Sequence, residues 1–238
     1  MKLIIDIGNT RLKLALFDGK EVVRYSNIDE WELLKVKSFI SSDVISSAII
    51  SSVKEINAEI LNFSSYYNAV ILSDKTEVPI INKYKTPDIL GKDRLAGVIG
   101  ATSLYPKKDI LVFDAGTCLT IDFVNAQKEY IGGRISPGIK MRFKALHTFT
   151  DRLPLVHQEN TDSYIGDDTD SSIVSGVQQG ILSEVKSIIS EYKLKNPDTI
   201  AVVTGGDYLF FEKELKNSIF ANPNLVLIGL NEILDYNE

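Results

Sequence analysis

Three carboxylates stand where chemistry could be done. Asp6 follows the apolar run Leu3-Ile4-Ile5 and opens Asp6-Ile7-Gly8-Asn9-Thr10. Asp114 follows Ile110-Leu111-Val112-Phe113 and opens Asp114-Ala115-Gly116-Thr117. Asp93 lies in Gly91-Lys92-Asp93-Arg94, where a helix should begin. A carboxylate at a strand end can hold a cation that bridges phosphates. The nearby glycine lets the turn backbone approach a ligand closely. Turn N–H groups and the Thr10 or Thr117 hydroxyl can then donate to phosphate oxygens. Two such turns, facing one another across a cleft, would grip a polyphosphate from both sides. Singly, each is a common turn pattern; their duplication gives the signal its weight. An Asp93 anion suits a helix N-terminus and can accept a hydroxyl proton during phosphoryl transfer. Taken alone, it reads first as an ordinary helix-start carboxylate with a surface ion pair. Arg94 could hold an anionic group bidentately. Thr204-Gly205-Gly206-Asp207 suits a flat group such as adenosine, or simply a tight strand-to-helix connection. Neither a P-loop nor a Gly-x-Gly-x-x-Gly fingerprint occurs in its proper context.

These turns need elements to position them. Leu12, Leu14 and Leu16 alternate with Lys13 and Ala15 as a half-buried strand does. Asp18-Gly19 signals a hairpin, with a returning strand over 21–25. Helices are expected over 29–40, with Asp29 as N-cap, and over 54–65 and 92–105. Short strands are expected at 48–50 and 69–72. The opening pattern then recurs: an apolar strand at 110–113, Asp-x-Gly-Thr, an alternating strand through Leu119, Ile121 and Phe123, and a return at 128–131. A helix led by Pro137 should run to Phe149. An irregular stretch covers 153–165, and long and short helices cover 169–192 and 207–218. Strands are expected at 200–203 and 225–228, with a final helix at 230–236. Strands alternating with helices indicate an α/β fold. The internal repeat indicates two duplicated domains, 1–106 and 107–238, joined by a tight boundary near Pro106.

Composition narrows the classes. The chain has 238 residues, 26 basic and 32 acidic, for a net charge of −6. That balance disfavours general nucleic-acid binding. One Cys and two His exclude an internal disulfide and the usual four-ligand zinc site. Cys118 therefore reads as a packing residue, and His147 and His157 as structural or surface groups. Trp31 reads as a core anchor. No apolar run approaches the ~18 residues of a membrane span. Met1-Lys2 leads straight into a strand-like segment, so no signal peptide is expected and cytoplasm is the expected compartment.

Taken in order, Asp6-x-Gly8-Asn9-Thr10, Tyr84-x-x-Pro87-x-x-x-Gly91-x-Asp93-Arg94, Asp114-x-Gly116-Thr117 and Gly132-Gly133-x-Ile135-x-Pro137-Gly138 carry a resemblance. Leu153-Pro154, Gly166-x-x-Thr169 and Thr204-Gly205-Gly206-Asp207 extend it. The chain resembles the type III pantothenate kinases of the acetate and sugar kinase/heat-shock ATPase/actin superfamily. The resemblance implies two RNase H-like α/β domains with mixed sheets flanked by helices. It implies phosphorylation of the primary hydroxyl of pantothenate by ATP with Mg2+, a monovalent cation (K+ or NH4+), and a homodimer. By motif, Asp6, Ile7, Gly8, Asn9, Thr10, Arg11, Leu12 and Lys13 form the first phosphate loop, with Asp6 on the Mg2+ side, acting through water. Asp93 is the implied general base. Tyr84, Gly91, Lys92, Asp93, Arg94 and Thr169 are the implied pantothenate contacts, Thr169 across a dimer interface. Asp114 is implied to bind the monovalent cation, Thr117 the ATP phosphates, and Gly205 and Gly206 the adenosine. Lys92 reads equally as a solvated or a site-facing residue, and Arg11 as a solvated strand residue. The alternatives are a non-catalytic nucleotide-sensing regulator of the same family, or a related kinase for another small alcohol. Loss of Asp93 or of a phosphate-loop residue would mark the regulator, and all are present.

Overall fold

A computed structural model describes residues 1–161 and 163–238. In chain order the elements begin with β1 (Lys2–Ile7), β2 (Leu12–Asp18), β3 (Glu21–Ile28), α1 (Leu33–Ile40), β4 (Ser47–Ser52), α2 (Ala58–Tyr66), β5 (Val70–Ile71) and β6 (Ile81–Asn82). A 3-10 turn (Pro87–Ile89) precedes α3 (Lys92–Leu104). Then come β7 (Ile110–Ala115), β8 (Cys118–Val124), β9 (Glu129–Pro137), α4 (Ile139–Thr148) and α5 (Thr169–Lys195). The chain closes with β10 (Ile200–Thr204), α6 (Tyr208–Leu215), β11 (Phe220–Ala221) and α7 (Leu225–Tyr236).

The chain divides into two compact units. One comprises Met1–Lys107, Val124–Gly132 and Asn224–Glu238; the other comprises Lys108–Phe123 and Gly133–Pro223. The first unit's sheet runs β3-β2-β1-β4-β5. There β1 is antiparallel to β2 and parallel to β4. Its core is built by Leu3, Ile5, Leu14, Val36, Ile50 and Phe63 with their neighbours. The second unit's strands run β9-β8-β7-β10-β11, the same order, with β7 parallel to β10. Leu111, Phe113, Leu119, Val177, Val185 and Val203 form part of its separate core. The repeat in the sequence is thus a repeat of sheet topology, with β1/β4 answered by β7/β10. Within the first unit, β6 also pairs with the opening residues of β9, Glu129 and Tyr130.

Several expectations change. Residues 225–228 are not a strand; they are the first turn of α7. A short apolar run cannot by itself distinguish a strand from a buried helix. Here Leu225, Val226, Leu227, Leu230, Ile233 and Leu234 are all buried, because α7 packs on α3, β1 and β4 at once. Asp29 does not cap α1, which starts at Leu33 after Glu32 without a side-chain cap. The preceding segment is held instead by Trp31, whose indole N–H donates to Glu59 at 2.6 Å and packs edge-on against Phe63. Trp31 is accordingly half-buried at the core's margin rather than a core anchor. Asn57 is the true cap of α2, accepting from Ile60 N at 2.9 Å. Pro137 ends the long β9 instead of opening a helix, and Gly138 is the N-cap of α4. Lys128 is not a strand residue; it turns at φ 61° before β9. The long helix α5 starts at Thr169 as expected, with an Asp168–Ser171 capping box. The irregular stretch before it contains Asp162, which lies outside the described residues.

Candidate active site

In the first unit, β1 brings Asp6 to the sheet's end. Its register partners are Lys13 on β2 and Ser51 on β4, so the three side chains form a row on one face. Gly8 N–H donates to Arg11 O at 3.0 Å, closing the turn between β1 and β2. Asn9, Thr10 and Arg11 are exposed on it, and Lys13 is half-buried. Asp6 is only 5% exposed, and its Oδ1 has no hydrogen-bond partner. Burial pushes its carboxyl up to about 6, the nearby Asp93 adds to the rise, and Lys13 opposes it. The Ser51 hydroxyl, acting as a donor toward the carboxylate, lowers it least of these, although the contact falls short of a well-aligned hydrogen bond.

This shift has a sign that can be tested. The folded carboxyl lies above the ordinary 3.8, so the folded state binds the proton more tightly. The contribution to stability is full below pH 4 and is lost as pH rises through about 6. In chelator-treated protein, Asp6→Asn should therefore be more stable than the parent above pH 6, and the gap should close toward pH 4. Thermal melts across that range check it.

Asp93 and Arg94 occupy the first turn of α3, after Gly91 as N-cap. Asp93 Oδ1 accepts from Arg94 N–H at 2.8 Å, within the same turn. A Cβ on Gly91 would lie 2.6 Å from that oxygen, so glycine is what lets the carboxylate fold back. Arg94 is 8% exposed, with its guanidinium 5.6 Å from the Tyr84 ring centroid. Tyr84 stacks on the fully buried Tyr130, with centroids 5.9 Å apart. Gly132 leaves its open side against the Tyr84 ring. Lys92 is half-buried at the start of α3. Tyr84, Tyr130 and Arg94 thus form one cluster, with Asp93 bonded to Arg94 at its edge and its charge felt by Asp6 in the same unit.

In the second unit, Asp114 is the register partner of Thr204. Gly205 has φ +90° and lies against the end of β7: a Cβ there would come within 2.4 Å of Asp114 Oδ1 and 2.5 Å of Ala115 O. Asp207 N–H donates to Ala115 O at 2.9 Å, pinning the turn. Burial raises the carboxyl of Asp207, with Lys140 opposing the rise. Thr117 is exposed, and Gly138 N–H donates to its carbonyl at 3.2 Å. Asp114, Thr117, Gly205 and the exposed Gly206 therefore surround one strand end. Thr169 opens α5 on the same unit. It lines an apolar groove of about 1260 Å3 with Pro137, Met141, Phe149, Gly166 and Ile173. Cys118 is half-buried, and His147 Nδ1 contacts Leu153 O at 2.8 Å. Ser51 and Tyr130 escaped the sequence reading. The only signal for them was strand register, which one sequence does not display.

The chain is an α/β protein built on two mixed sheets flanked by helices, with the strand order of one repeated in the other. Solved structures share the fold across nearly the whole chain. A protein from Campylobacter jejuni assigned to the Baf family of transcriptional activators aligns with TM-score 0.67 at 22% identity, covering 99% of this chain and 98% of its own. Component A of the (R)-2-hydroxyglutaryl-CoA dehydratase of Acidaminococcus fermentans aligns with TM-score 0.55 at 14% identity, covering 99% and 96%. The profile of type III pantothenate kinases matches residues 2–191. Type III pantothenate kinases of Bacteroides fragilis and Christiangramia forsetii are 44% and 41% identical to it, each over 100% of this chain and over 98% and 99% of their own. The chain belongs to the type III pantothenate kinase family, whose members phosphorylate pantothenate in coenzyme A biosynthesis. Among the described residues, no helix is long and apolar enough to cross a membrane.

Proposed function

We propose that this chain transfers a phosphoryl group from ATP to the primary hydroxyl of pantothenate, with Asp93 as the general base. One observation carries the assignment: Asp93 lies close enough to the buried Asp6 for its charge to raise that carboxyl. That influence supports a reading in which Asp93, at a helix N-terminus, takes the proton while Asp6, at a strand end, serves the phosphates. Phosphoryl transfer passes through a loose transition state, so positioning and charge neutralisation do most of the work. Tyr84 and Arg94 orient pantothenate, with Arg94 facing its carboxylate. Gly91 and Lys92 complete that contact. The loop 6–13 and Thr117 hold phosphates, and Gly205 and Gly206 face the adenosine.

Asp6 fits a divalent cation. Its Oδ1 is a buried anionic oxygen with no hydrogen-bond partner. Among the described residues, no group of three or more His, Cys, Asp or Glu side chains could hold a metal. Water and phosphate oxygens would therefore complete the shell, as Mg2+ usually requires. When bound, that ion neutralises phosphate charge. Asp114 is assigned the monovalent cation. Thr169 is assigned a pantothenate contact within a homodimer, an assembly supported by the apolar groove beside it and by Phe149, 85% exposed on its wall. The protein is proposed to work in the cytoplasm.

A coupled assay with ATP and pantothenate tests the reading. Turnover should require both, and should fall at least roughly tenfold when K+ and NH4+ are replaced by Na+. A protein that binds ATP without phosphorylating pantothenate would refute the activity. Full turnover in Na+ alone would refute the role of Asp114.

A further inference from the structure

The row Lys13–Asp6–Ser51 contains a group that the reaction as described does not use. Ser51 is fully buried, yet its hydroxyl has no hydrogen-bond partner. Neither does Asp6 Oδ1, on the residue in register with it across the parallel strands β1 and β4. Two unpartnered polar atoms on adjacent residues of one sheet face are an unusual pairing. Buried polar groups normally find partners, and leaving them without costs stability.

The second unit repeats the arrangement. Thr204 is fully buried, its hydroxyl has no hydrogen-bond partner, and it stands in register with Asp114 across β7 and β10. A hydroxyl residue therefore accompanies each strand-end aspartate at the same place in the duplicated sheet. Packing alone would be served better by Ala or Val in both positions.

We propose that Ser51 is a positioning residue for the divalent cation. Its hydroxyl accepts a hydrogen from a cation-bound water whose other hydrogen goes to Asp6 Oδ1. A buried water needs roughly three polar partners, and Ser51, Asp6 and the ion supply them. Lys13 faces Asp6 from the opposite side of the row, so the hydroxyl side is the one that can take a water without repelling the cation. The inference rests on the reading of Asp6 as the Mg2+-side carboxylate.

The test uses the full chain with Mn2+ as probe, in the presence of a non-hydrolysable ATP analogue. Free Mn2+ is followed by electron paramagnetic resonance, and melting temperature is measured with and without the metal. Ser51→Ala should weaken protein-dependent Mn2+ binding about 10-fold, the scale of a lost outer-shell partner. Its metal-free melting temperature should stay within a few degrees of the parent's, because the hydroxyl makes no well-aligned hydrogen bond there. A residue serving the fold alone would show the reverse pattern. Mn2+ affinity equal to the parent's in Ser51→Ala overturns the inference, as does a parallel loss of metal-free stability. Asp6→Asn separates the two levels. If it abolishes Mn2+ binding while Ser51→Ala does not weaken it, only the inference falls. If Asp6→Asn binds Mn2+ like the parent, the reading of Asp6 falls and the inference with it.

Discussion

Asp93→Asn should lose about 10³-fold or more of turnover while binding ATP as the parent does. The size follows from what a positioned base contributes, roughly 10²–10⁴-fold. The substitution keeps the shape of the side chain and removes its capacity to take a proton. Asn can still accept from Arg94 N–H through its carbonyl oxygen, so the 2.8 Å contact that shapes the first turn of α3 survives. Folding should therefore be little changed, and the loss should lie in kcat. Removing the Asp93 charge also relieves Asp6, whose carboxyl it helps to raise. Calorimetric titration of ATP and steady-state kinetics with pantothenate would separate binding from chemistry. Turnover within a few-fold of the parent would remove Asp93 as the base and leave positioning as its role.

Gly229→Ala should destabilise the protein by about 3 kcal/mol or more, the range of severe overpacking. Helices α3 and α7 cross at glycines. A Cβ on Gly229 would lie 1.7 Å from Ala96 O and 2.9 Å from Gly100 N. A Cβ on Gly100 would lie 2.2 Å from Leu225 O. Every obstacle is backbone, so no flexible side chain can swing away. Alanine's better helix propensity, about 1 kcal/mol, works in the other direction and is too small to compensate. Gly180→Ala in α5 is the internal control. Nothing lies within 4 Å of its would-be Cβ, so there the propensity gain should appear alone. Urea titration of the two variants checks the pair. A Gly229→Ala protein as stable as the parent would mean that the helices separate at little cost. Because α3 carries Asp93 and Arg94 in the turn that leads to Ala96, a shift of α3 should also reduce turnover.

The local devices were legible in the chain. Both Asp-x-Gly turns sit at strand ends, Gly91-Lys92-Asp93-Arg94 opens a helix, and Thr169 starts the longest one. Each is written in residues that are neighbours along the sequence: an apolar run, a turn former, a polar start. Boundaries failed where a distant partner decided them. Trp31 is drawn to Glu59 and Phe63, which keeps residues 29–32 out of α1. Residues 225–228 join a helix because three elements surround them.

By itself, then, the sequence determined the repeat, the positions of Asp6, Asp93 and Asp114 at element ends, and the family. Period-two and helical patterns and turn chemistry are short-range, and they survive translation into structure residue by residue. Only the tertiary structure decided that Ser51 and Lys13 flank Asp6, that Tyr130 backs Tyr84, and that the C-terminal helix packs with the N-terminal unit. Those facts depend on strand register and helix crossing, which join residues far apart in the chain. The raised carboxyl of Asp6 belongs to the same class. It arises from burial and from the charge of Asp93, and neither is a property of the residues next to it in sequence.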